Sequence, residues 1–131
     1  MAQTRFTGPV RSDNGFIGAV TGNVTGNVTG NITGDVIATN QALSGAGAVN
    51  VTDMLTSLTT TGASQALTLA DGTAGQIKII VHTVDGGSAV LTPTTKIGFT
   101  TVTFTAVGDA AMLIYTATGW AVVGSKGVTI A

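Results

Sequence analysis

Cysteine is absent from this 131-residue chain, which removes disulfides, thiolate metal sites and cysteine nucleophiles together. Glutamate is absent too, and charged residues make up 8% of the sequence, against roughly 25% in an ordinary soluble domain. A surface so poor in charge needs cover, from a membrane or from an assembly. No apolar run approaches the roughly 18 residues of a spanning helix, because glycine or threonine interrupts each one. Assembly is therefore the expectation, with no membrane partner. The net charge is −1 and the cations Arg5, Arg11, Lys78, Lys96 and Lys126 stand singly. They form no basic stripe to follow a phosphate backbone, so nucleic acid is not expected as a partner either. The N-terminal MAQTRFTGPV lacks the apolar stretch of a secretory signal, which makes the cytoplasm the expected place of synthesis.

The helix formers glutamate, lysine, arginine and leucine are scarce, while glycine, threonine, valine and isoleucine abound. The one helical candidate is Val51 to Leu58, where Met54, Leu55 and Leu58 have helical spacing, although the threonines that follow suit a strand or an irregular loop equally well. Beyond it the chain reads as short strands cut by turns. Leu67 and Leu69 alternate with polar or small neighbours before Asp71-Gly72. Gln76 to Val84 sets Ile77, Ile79, Val81 and Thr83 on one face and Lys78, Ile80, His82 and Val84 on the other. Both faces are largely apolar, which places this strand centrally. Asp85-Gly86-Gly87 reads as a hairpin turn into Ser88 to Thr92, which Pro93 ends for want of a ladder donor. Thr100 to Thr105 turns Val102 and Phe104 inward, and Ala111 to Thr116, Trp120 to Val123 and Val128 to Ile130 follow. The expected architecture is all-β, a short-stranded sandwich or barrel-like domain over 41–131, preceded by an extended arm over 1–40.

That arm carries the repeat of residues 19–37, TGNVTGNVTGNITG at its heart, with one bulky apolar group every fourth residue. On a fully extended backbone Val20, Val24, Val28, Ile32 and Val36 share one face with glycines between them, and threonine and asparagine line the other. A lone strand of this kind cannot bury its valines, and its glycines are entropically costly to order. These five residues are the candidate assembly contacts, against copies of the same segment or against another surface. A plain Gly/Thr/Asn linker is the competing reading.

Catalytic patterns are weak. His82 is the sole histidine, so a metal site would need three copies around a symmetry axis; a histidine partly packed in an interface is the simpler expectation. Asp85, His82 and Ser88 fall within one predicted turn, without the strand-turn-helix elbow of a nucleophilic serine. The aspartates sit beside glycines or in turns, where they bond their own backbone. The sequons at Asn23, Asn27, Asn31 and Asn50 read as by-products of composition, and the glycine-rich stretches lack the context of a nucleotide site. Trp120 and Phe104 read as core. No enzymatic activity, cofactor or metal is expected.

The repeat GNVTGNVTGNITGD, with LTTTGASQALTLADGTAGQIKIIVHTVDGGSAVLTPTT, TTVTFTAVGDAAMLIY and GWAVVGSKGVTI after it, resembles small virion structural proteins of tailed bacteriophages, especially those of cyanobacteria. The resemblance implies a homotrimeric, non-enzymatic all-β protein of the virion. As a capsid decoration (cement) protein it would lie on the outer surface of the head against the major capsid protein, assembled in the host cytoplasm. The alternative is a head or tail fibre or spike that touches the host. The length favours decoration, since fibres carry longer shafts, and so does the low charge.

Overall fold

A computed structural model describes Thr7, Thr21, residues 24–26 and residues 28–131. The chain divides into two units, Met1–Gly34 and Asp35–Ala131. The second is all-β, as the residue pattern predicts.

Ten strands build it: β1 (Asn40–Ser44), β2 (Gly47–Val49), β3 (Leu55–Thr59), β4 (Gln65–Leu69), β5 (Ile77–Val84), β6 (Ala89–Pro93), β7 (Val102–Phe104), β8 (Ala110–Thr116), β9 (Gly119–Lys126) and β10 (Thr129–Ile130). They form two mixed five-stranded sheets packed together and not closed into a barrel. Sheet A runs β1-β3-β5-β8-β9 and sheet B runs β10-β7-β6-β4-β2. Along the first six strands the chain alternates between sheets, and every like-sheet neighbour pair there is parallel. This half is thus a flattened coil of three turns. β7 to β10 then add antiparallel to the β5 and β6 edges and end the coil.

This winding decides one open sequence reading and corrects another. The segment around Leu55 to Leu58 is strand β3, not helix, because its Thr56 and Leu58 turn inward between β1 and β5. Asp85-Gly86-Gly87 is not a hairpin turn. It carries the chain from β5 in sheet A across to β6 in sheet B, which pairs with β4 rather than with β5. The corner is tight: a Cβ on Gly86 would overlap the Thr60 carbonyl, and one on Gly87, at φ 141°, would overlap the backbone of Gly62.

The core lies between the sheets. Leu58, Ile80, Ala111, Leu113 and Trp120 come from sheet A, and Val49, Leu67, Leu69, Ala89, Leu91, Val102 and Phe104 from sheet B. The Trp120 indole N–H crosses to the Ala70 carbonyl at 2.9 Å, and its ring meets Tyr115 edge-on at 5.2 Å. That satisfies its one donor while burying its apolar area. β5 is central, as expected, but its orientation is unusual: Lys78, Ile80 and His82 turn into the core, while Ile77, Ile79 and Val81 turn outward and are half-buried.

Candidate functional site

The expected assembly contacts fall on the repeat. Val20 lies outside the described residues. Val24, Val28, Ile32 and Val36 are 64%, 59%, 62% and 71% exposed, and Ile37 is 90% exposed. The backbone differs from the extended strand of the sequence reading. No described residue from Thr21 to Thr39 belongs to a strand, and Gly26, Gly30 and Gly34 each make a bend at φ 123°, 130° and 125°. Only glycine enters that region without strain. The period-two faces are therefore broken at every fourth residue. What repeats instead is a four-residue backbone unit, with an exposed β-branched side chain two positions before each glycine.

Two polar centres sit in the other unit. In the first, His82 is fully buried, and its Nε2 lies 3.0 Å from the Thr60 hydroxyl. That hydroxyl accepts from the Gly86 N–H at 2.9 Å and donates to the Gly87 carbonyl at 3.0 Å. The hydroxyl has one proton for the Gly87 carbonyl and Nε2, and Nδ1 has no hydrogen-bond partner among the described residues. Thr60 thus ties the 85–87 corner to the end of β3, and His82 braces Thr60 from β5. This corrects both sequence readings of His82: the ring faces neither an interface nor a symmetry axis, but the core.

No hydrogen bond links Ser88, His82 and Asp85, the three residues whose closeness in the chain the sequence reading sets aside as a catalytic grouping. Ser88 Oγ accepts from the Ser64 N–H at 2.8 Å, and Asp85 Oδ1 from the Gly87 N–H at 2.8 Å. Asp71 accepts from the backbone and hydroxyl of Thr95, each at 3.0 Å. Asp109 Oδ2 accepts from the N–H groups of Thr105 and Ala106 at 2.7 and 3.0 Å. Those backbone donors, Thr105 first, hold its carboxyl below the usual carboxylate range. Among the described residues no cluster of histidine, cysteine, aspartate or glutamate is set to hold a metal ion.

The second centre escaped the sequence reading. Lys78 is 1% exposed, and its Nζ donates to the backbone carbonyl of Asp53 at 2.7 Å. Burial pushes its pKa down to about 8, partly opposed by the Asp53 charge. Asn50 and Asp53 close the loop between β2 and β3: Asn50 Nδ2 donates to Asp53 Oδ2 at 2.7 Å and Asn50 Oδ1 accepts the Asp53 N–H at 3.0 Å. Gln41 braces the same loop, accepting from the Asn50 N–H and the Thr56 hydroxyl. The Asn50 sequon amide is therefore a structural group of the β2–β3 loop. The only sequence signal for this centre was a lysine inside an isoleucine run, which alternation alone cannot assign to the inner face.

No protein-family model matches the chain, and no curated protein matches it in sequence.

Proposed function

We propose that this chain is a non-enzymatic structural protein of a bacteriophage virion, one that binds the outer surface of the head as a homotrimer and stabilises it. The observation that carries the reading is the repeat. It holds a row of β-branched side chains in solvent at a fixed four-residue interval, on a chain with very little charge to keep such groups soluble. Apolar groups presented regularly suit a surface that is itself regular, as a shell of identical subunits is, and contacts worth roughly 25 cal/mol per Å² of buried apolar area add up over many copies. The likeness of the repeat and of the phrases after it to tailed-phage structural proteins supplies the rest.

The test is to mix the purified chain with undecorated heads and to measure co-sedimentation and the temperature of head disruption. Binding with a raised disruption temperature is expected. Replacing Val24, Val28 and Ile32 by Asp should weaken binding by about 3 kcal/mol or more, since each charge would be buried at a contact. Failure to bind heads, together with binding to host cells, would replace this reading with a fibre or spike that contacts the host.

A further inference from the structure

The outward face of sheet A is apolar where a solvated sheet is polar. Antiparallel and mixed sheets with one wet side alternate apolar-in with polar-out, and sheet B comes closer to this, with Thr68, Thr92, Thr103 and Thr129 outward beside the small Ala48 and Ala66, a half-buried Val90 and Ile130 at its edge. In sheet A the register sets Leu55 beside Ile79 and Ile79 beside Met112, with Ile77 beside Ile114 and Val81 beside Ala110. These outward rows form one continuous patch over the three central strands. β5 places its lysine and histidine in the core and its isoleucines outside, the reverse of what a free sheet would select.

Relief and charge fit the patch to another copy of itself. Met112 stands 38% exposed beside a hollow of about 190 Å³ that Ile79, Ala110 and Gly124 help to line, and Met54 stands equally exposed beside a second of about 280 Å³ that includes Ile77. Unbranched methionines next to empty hollows are adaptable knobs beside holes. Lys126, at one corner, is the sole charged side chain at the outward positions of the five strands, so two such faces meet without like-charge conflict. A basic partner finds no carboxylate there to pair with, and an acidic one finds only Lys126, at the rim of the hollow beside Met112. The whole outward face, five strands at about 4.8 Å spacing and up to eight residues long, gives a flat projection on the order of 500 Å², the three strands of the patch about 300 Å² of it. A stable interface of roughly 800 Å² per partner would therefore take in the rim on β1 and β9 as well.

We infer that the outward face of sheet A, centred on Ile79 and Met112, is the surface through which this chain binds a second copy of itself. Patch on like patch closes a two-fold pair, so the inference adds a contact to the homotrimer of the proposed function; it forms in solution whether or not the assembly then sits on a head.

Sedimentation equilibrium of the full chain tests it without heads present. The wild type is expected at a multiple of the single-chain mass. Ile79→Asp should weaken association roughly 100-fold, the scale of burying an unpaired carboxylate, while Thr92→Asp, the same chemistry on sheet B, should leave the mass unchanged. A wild type that stays a single chain at sub-millimolar concentration overturns the inference, as do two variants that behave alike. Should Ile79→Asp fail to fold, the wild type itself carries a second readout. Peroxide oxidation of Met112 should slow about tenfold on going from dilute to concentrated protein as the thioether is covered; an unchanged rate overturns the inference equally.

Discussion

Lys78 shows what a single residue in the wrong-looking place does to this fold. Its ammonium is inside, held by one carbonyl, with its pKa pushed down to about 8 from the ordinary 10.5. Below about 8 both folded and unfolded chains carry the proton, and the whole cost of burying the charge weighs on the fold. Between about 8 and 10.5 the folded chain has released a proton that the unfolded chain keeps, so stability rises with pH through that window. The rise is at most about 3 kcal/mol at 1.36 kcal/mol per pKa unit. Urea midpoints at neutral pH and at the top of the window should show it, and Lys78→Met should abolish the dependence. His82 belongs to the same scale: its residue type was legible and its environment was not. A histidine flanked by apolar residues on its own face reads as an interface residue before a metal ligand, and only its full burial beside the Thr60 hydroxyl, 3.0 Å away, places it in the core.

The strands from Leu67 onward were legible in the sequence because alternation and turn residues mark them, and the inward side of β7 was legible because Val102 and Phe104 outweigh their threonine neighbours. What stayed hidden is how the strands connect. Partners along sheet A are 15 residues apart from β1 to β3 (Asn40 with Leu55) and 24 from β3 to β5 (Leu55 with Ile79); in sheet B they are 20 and 24 apart (Gly47 with Leu67, Gln65 with Ala89). A coil whose turns differ in length leaves no fixed period to read, so Asp85-Gly86-Gly87 imitates a hairpin. The corner makes its own prediction. Gly86→Ala should cost about 1–3 kcal/mol, the usual range for overpacking a tight site, because the added methyl meets rigid backbone at Thr60. Chemical denaturation would read it directly. An alanine that cost nothing would mean that the end of β3 gives way easily, contrary to its ties to His82 and Gly87.

At the scale of the molecule, every buried core side chain among the described residues, and every described apolar group packed against it, lies between Leu43 and Val128. Removing Met1–Gly34 should therefore leave residues 35–131 with a cooperative denaturation and an unchanged midpoint, while abolishing the attachment assigned to the repeat. A lower midpoint would show that the repeat stabilises the β unit. By itself the sequence determined the all-β class, the central strand β5 and the exclusion of cysteine chemistry, since composition and alternation act locally. Only the tertiary structure decided that six strands coil in parallel, that glycine bends break the faces of the repeat, and that Ile77, Ile79 and Val81 face outward while Lys78 and His82 face in. Alternation says that two faces differ without saying which one is buried, and that choice is made by the strands of the opposite sheet.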